Sequence, residues 1–155
     1  MEDKQSLTKY HSKGGNIVKV TTSRLVKSED LNHHGTLFAG RAAEWFVETC
    51  FICGAKITGK PENIVCVKIH GFTFNEPATK GDILNFEARL VRAGRTSFTV
   101  YGKATKNNSN RILSDGFITF VFVDEKGKPI PHNINLDEPL DEEDRQLREK
   151  AANLR

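Results

Sequence analysis

The segment from Asn32 to Ala55 places the tightest constraint on how this chain folds. It reads NHHGTLFAGRAAEWFVETCFICGA, a polar loop that runs directly into an apolar segment. Gly35 and Gly40 allow a tight turn and a close approach of the backbone. On a helix over residues 37–55, apolar side chains would fall on nearly every side. This pattern predicts a long helix wrapped by the rest of the chain rather than one lying on its surface.

One charged stripe interrupts the apolar surface of this helix. Arg41, Glu44 and Glu48 are spaced three and four residues apart, so they share one face. Acidic side chains on an otherwise buried helix, just after a loop containing glycines, are candidates for catalysis.

The segments around the helix read as strands. Alternation predicts a first strand over residues 16–26. β-Branched and aromatic segments, separated by Gly, Pro and Asn, predict four more over 63–74, 82–91, 96–106 and 112–123. Short turns between these four favour an antiparallel meander. The tail from Asp141 has acidic residues first and basic residues later, which matches a helix macrodipole and predicts a terminal helix. The sum is an α+β fold.

At 155 residues the chain is expected to form one domain. We expect a flexible polar leader over residues 1–15, the folded domain over 16–131, and a tail with the terminal helix over 132–155.

Composition excludes several classes of function. The net charge is only +3 and no basic run is interleaved with aromatics, so a nucleic-acid partner is not expected. No run approaches the ~20 apolar residues of a membrane span, and the N-terminus does not resemble a secretory signal. Three cysteines, an odd number, indicate reduced thiols and a cytoplasmic location.

Four motifs occur in a characteristic order: NHHGTLFAG, FNEPATKGD, VRAGRTSFTV and FVFVDEKGKPIP. Over residues 16–131 the chain thereby resembles hotdog-fold acyl-CoA thioesterases of the acyl-CoA hydrolase branch. The resemblance implies a hotdog fold, in which an antiparallel sheet wraps around one long central helix. It also implies hydrolysis of an acyl-CoA to a free acid and coenzyme A, without metal or organic cofactor. A homodimer with sites at its interface, or a trimer of dimers, is the implied assembly.

Hydrolysis of a thioester needs oxyanion donors, a carboxylate and groups that hold the coenzyme. The backbone N–H groups of Ala39 and Gly40, at the helix start, suit the first role. Asn32 would orient water or the thioester oxygen, although asparagine also favours turns. The resemblance further implies substrate contacts in the loop and near the pantetheine and phosphates, made by Gly35, Phe38, Arg95, Thr96 and Ser97.

One position departs from the family pattern. The family usually has an aspartate nine residues after Phe38, where this chain has Val47. Glu44 lies ~60° from Val47 around a helix and Glu48 ~100°, so either could supply the base. Arg41 could instead simply pair with Glu44.

Two other readings remain open. Because Val47 is not an acid, the chain could be a non-catalytic acyl-CoA or acyl-carrier binding protein. A dehydratase of the same fold would need a histidine paired with an acid, and His70, expected to share a strand face with Phe72, is the candidate.

Metal and redox sites are not expected. His33 and His34 lack a third ligand at suitable spacing. Cys50 and Cys53 lie inside the predicted helix, where buried thiols act as small hydrophobes.

Overall fold

The apolar segment after the polar loop forms helix α1 (Ala39–Thr58) in the computed structural model, which describes residues 7–12 and 15–155. The helix continues one turn beyond its expected end near Gly54. Gly59, at φ 69°, closes it by donating its N–H to the Ala55 carbonyl at 2.9 Å. Gly54 is instead a packing position, because a Cβ there would lie 2.9 Å from the Phe98 ring.

The strands form one antiparallel sheet of six strands, and the bounds of the second to sixth lie close to the predicted ones. They are β1 (Leu7–Ser12), β2 (Gly15–Leu25), β3 (Ile64–Phe74), β4 (Ile83–Ala93), β5 (Ser97–Lys106) and β6 (Ile112–Phe122). Their order in the sheet is β1-β2-β4-β5-β6-β3. The α+β prediction, with one long helix against an antiparallel sheet, is confirmed.

Strand β1 differs from the expected leader. Its backbone pairs with β2 from Leu7↔Val20 to Ser12↔Gly15. The prediction missed this strand because the segment is polar. The rest of the expected leader, residues 1–6 and 13–14, lies outside the described residues.

The predicted four-strand meander is wrong in one respect. Strands β4, β5 and β6 follow one another, but β3 pairs with β6 at the far edge instead of with β4. The connection over residues 75–82 therefore crosses the end of the sheet. Eight residues can span roughly 26 Å, more than the about 14 Å across three strand spacings, so chain length permits the crossing.

Helix α1 lies across one face of the sheet. Phe46, 1% exposed, stacks on Phe72 with ring centroids 4.4 Å apart. A Cβ at Gly102 would lie 2.7 Å from the Phe46 ring, and a Cβ at Gly116 would lie 3.1 Å from it. The two glycines thus let the ring settle against the sheet backbone.

The predicted terminal helix is present as α2 (Glu142–Ala152) and covers the opposite face of the sheet. Asp141 caps it by accepting the Asp144 N–H at 2.8 Å. Leu147 and Ala151 pack against buried β4 and β5 residues. The sheet thus carries one helix on each face. Within the described part of the chain, no helix is long and apolar enough to cross a membrane.

Candidate active site

Asn32 organises the loop that leads into α1. Its Oδ1 accepts the N–H groups of His34 at 2.9 Å and Thr36 at 3.2 Å, and its Nδ2 donates to Thr36 Oγ1 at 3.0 Å. Gly35 has a φ of +79° but open space around it, so it serves the turn rather than a close contact. The expected turn role of Asn32 is thereby observed. One N–H of its amide remains for another partner, because the amide has two.

The first turn of α1 has unpaired donors. Phe38 precedes the helix in an extended conformation, and its carbonyl accepts the N–H groups of Arg41 and Ala42. Among the described residues, none accepts a hydrogen bond from the N–H of Ala39 or Gly40, as expected for the first helical positions. The helix dipole adds a partial positive charge here, so this end favours an anionic oxygen.

Asn32 and Ala39 open into the same cavity, of about 290 Å³. Residues from the loop, from α1, from the end of β3, from the crossing connection and from the start of β6 line it: Asn32, Thr36, Leu37, Ala39, Ala42, Phe74, Asn75, Glu76, Pro77, Ala78 and Leu113. Gly40 is not among them. Gly40 is exposed and lies beside the Phe38 ring, since a Cβ on Gly40 would lie 2.6 Å from that ring.

The two glutamates of α1 lie elsewhere. Glu48 forms an ion pair of 2.7 Å with Arg24 of β2, and Glu44 lies 3.6 Å from Arg41. Both are exposed, and neither lines the cavity. Arg41 in turn lies 3.4 Å from buried Asp30. This side of the helix therefore faces β2 and the loop after it, whereas the cavity reaches the end of β3.

Arg95, Thr96 and Ser97 are far from this cavity within one chain. Arg95 and Thr96 lie in the turn between β4 and β5, and Ser97 begins β5, whereas the cavity lies at the other end of these strands. The ten residues of β5 span about 34 Å. The structure thus separates the expected substrate residues into two groups at opposite ends of the sheet.

The turn from β4 to β5 has its own surroundings. Ser97 lines a second cavity, of about 220 Å³, which also contacts His70. The Ser97 carbonyl lies 2.8 Å from His132 Nε2, and Arg95 is exposed.

His70 does not share a face with Phe72, contrary to the prediction. A register shift between Ile69 and Phe72, with Gly71 at φ +115°, turns His70 to the outer face. There its Nε2 lies 2.7 Å from Thr119 Oγ1. Burial and the Lys68 charge lower the pKa of His70. This histidine does not line the cavity with Asn32.

The cysteines of α1 occupy the core, as expected for small hydrophobes. Burial raises the pKa of Cys53 to about 12 and raises that of Cys50 well above its usual value. Over residues 7–12 and 15–155, no three His, Cys, Asp or Glu side chains cluster to suit a metal ion.

The sequence did not predict that Glu76 lines this cavity. The residue stands inside the FNEPATKGD motif, yet a glutamate next to a proline in a connection gives no signal of its own. Only the crossing of that connection past the helix start brings it to the cavity of Asn32 and Ala39.

Comparison with known proteins gives consistent matches. The sequence model of the thioesterase superfamily matches residues 34–112. The uncharacterized acyl-CoA thioester hydrolase YkhA of Bacillus subtilis (strain 168) is 26% identical over 117 residues, which cover 73% of this chain and 67% of that protein.

Two solved structures are also similar. An acyl-CoA hydrolase from Staphylococcus aureus, in complex with butyryl coenzyme A, coenzyme A and coenzyme A disulfide, has 27% identity and a TM-score of 0.77 over 86% of this chain and 79% of that one. An apo-hexameric acyl-CoA thioesterase has 33% identity and a TM-score of 0.78 over 86% of both chains. These matches support the hotdog fold that the sequence motifs implied.

Proposed function

This chain belongs to the thioesterase superfamily, and we propose that it hydrolyses acyl-CoA thioesters to a free acid and coenzyme A. The observation that carries the proposal is the cavity that Asn32 and Ala39 both line, where the Ala39 N–H, at the start of α1, has no acceptor among the described residues. Relatives and neighbours named as acyl-CoA hydrolases supply the substrate class.

The cavity suits the charge that develops during this reaction. When water attacks the thioester carbonyl, the carbonyl oxygen becomes negatively charged. The Ala39 N–H donates to this oxygen, with the dipole of α1 behind it. The remaining amide N–H of Asn32 orients the thioester, and its other hydrogen bonds hold the amide in place. Gly40 stays a candidate second donor, because its N–H has no acceptor among the described residues, but it does not line this cavity.

A thiol-release assay tests the proposed activity. We expect hydrolysis of at least one acyl-CoA between acetyl and palmitoyl at a rate well above that of buffer. The alternative is a binding protein without turnover. It is motivated by Val47, because a valine side chain cannot act as a base or a nucleophile. It predicts that coenzyme A raises the melting temperature while no thiol is released. Buffer rates with every chain length would reject the hydrolase proposal.

A second copy of the chain would complete the site. Strand β3 is an edge strand with exposed apolar side chains, including Val67 at 55% and Ile69 at 50%. Unpaired edges with apolar side chains favour pairing. If the β3 strands of two copies pair antiparallel, the Ile64 end of one strand lies beside the Phe74 end of the other. The partner's copy of the turn at residues 95–97 would then lie on the side of this cavity.

The proposed assembly is therefore a homodimer, or a trimer of dimers as the hexameric neighbour suggests. Ile69→Lys should lower the mass in sedimentation equilibrium at micromolar concentration, since a lysine would be buried in the pairing. Leu25→Lys is the matched control, because Leu25 is 52% exposed but lies on β2. A monomeric wild-type protein would contradict the proposal.

The cytoplasmic location also stays a proposal. It rests on the three cysteines, whose odd number suits a reducing compartment.

A further inference from the structure

The residue that fills the role of the missing helix aspartate lies outside the helix. We infer that Glu76 is the carboxylate that activates the attacking water, an inference that rests on the proposed thioesterase activity. Val47 occupies the family's acid position and packs, half-buried, against the core. Hydrolysis still requires a base that can reach the cavity of Asn32 and Ala39.

Glu76 is the one acid among the side chains that line this cavity, considering the residues that the structure describes. Its side chain is 26% exposed, so it reaches both the cavity and solvent. A carboxylate in a cavity with oxyanion donors is the combination that water activation needs.

Other acids near the helix start are already committed to the fold. Asp30 is 3% exposed, accepts the Lys27 N–H at 2.8 Å and lies beside Arg41. Asp82 accepts the Thr79 N–H at 2.8 Å and lies 3.3 Å from Lys106. Neither lines the cavity.

The backbone of the crossing connection fixes the place of Glu76. Asn75 and Glu76 both donate their N–H groups to the Leu113 carbonyl, at 2.8 and 3.3 Å, which ties this part of the connection to β6. The Glu76 carboxylate pairs with Arg111, whose side chain is 79% exposed. Arg111 is therefore a positioning residue that holds the carboxylate from the solvent side.

The proposed step balances in atoms and protons. Glu76 takes a proton from water while the water oxygen bonds to the thioester carbon, and the carbonyl oxygen becomes the anion held by Ala39. The carbon–sulfur bond then breaks and the carbonyl re-forms. The coenzyme A sulfur leaves with the proton that Glu76 had taken, which gives the free acid and the thiol.

The test compares four Glu→Gln variants, each of which removes a charge and keeps the side-chain shape. Glu76→Gln should lower kcat by roughly 10²–10⁴-fold, the usual contribution of a positioned base. Glu44→Gln and Glu48→Gln should keep kcat within about threefold, since these residues only form exposed ion pairs. Glu125→Gln, in the exposed turn after β6, is the matched control.

Further readouts separate chemistry from a structural effect. Glu76→Gln should keep its melting temperature and the stabilisation by coenzyme A, so that kcat falls while binding remains. Arg111→Gln breaks the same ion pair and should retain far more activity than Glu76→Gln. Glu76→Asp keeps the charge but withdraws the carboxylate, and it should show a reduced kcat even if the glutamine variant does not fold.

Three results would overturn the inference while leaving the thioesterase activity standing. The first is a wild-type kcat in Glu76→Gln or Glu76→Asp. The second is a fall in kcat of Arg111→Gln as large as that of Glu76→Gln. The third is a large fall in kcat of Glu44→Gln or Glu48→Gln while Glu76→Gln keeps its activity. If the wild-type protein releases no thiol from any acyl-CoA, the proposed function itself fails.

Discussion

Replacing Ala39 with proline is expected to lower kcat by roughly 10²–10³-fold without unfolding the protein. The proline ring removes one N–H, and loss of one oxyanion donor typically costs this much. The fold should tolerate the change, because Ala39 is the first residue of α1 and its N–H has no partner within the described part of the chain. Proline is well suited to this position, and Phe38 already has the extended conformation that a following proline favours.

Ala39→Gly is the matched control for the proline variant, since it changes the same side chain and keeps the N–H. Steady-state thiol release gives kcat, and circular dichroism with a melting curve reports the fold. A wild-type kcat in a folded Ala39→Pro protein would show that the Ala39 N–H does not stabilise the oxyanion. Equal losses in both variants would point to the side chain instead.

Phe46→Ala should destabilise the protein by about 3–5 kcal/mol, the usual cost of removing a buried phenylalanine. The ring is 1% exposed, stacks on Phe72, and packs where Gly102 and Gly116 leave no side chain. Since neither glycine can fill the space, the cavity should persist. For a chain of this size, the melting temperature should fall by roughly 6–20 °C.

Phe38→Ala provides the comparison for stability, because the same side chain is removed from a position that is 56% exposed. We expect its melting temperature to stay within a few degrees of wild type. Urea unfolding of both variants at equal protein concentration measures the difference. A Phe46→Ala protein as stable as Phe38→Ala would mean that the core around Gly102 and Gly116 collapses easily.

Local sequence signals were sufficient for most of the elements. The apolar pattern after Phe38 predicted α1, and the charge order after Asp141 predicted α2. Alternation predicted β2, and β-branched and aromatic segments predicted β3 to β6, all with nearly correct bounds. These features depend on neighbouring residues, so they can be read from a window of the sequence.

Features that depend on distant partners could not be read in this way. Nothing near Ile64 indicates that β3 pairs with β6 instead of β4, because β6 begins almost fifty residues further along the chain. The pairing of Glu48 with Arg24 joins residues of different elements, and the cavity of Glu76 and Ala39 joins a connection to a helix. Glu44 and Glu48 were predicted as candidate bases because their spacing on one helix face can be seen within a few residues of sequence.

Strand order also has a consequence for biosynthesis. The cavity needs Asn32 and Ala39 from early in the chain, but also Leu113 at the start of β6. Strand β3 has no strand to pair with in its native position until β4, β5 and then β6 have left the ribosome. Pairing between such distant segments is slow to form. A nascent chain that has exposed only residues 1–105 should therefore contain Asn32 and Ala39 and still lack the cavity that they line.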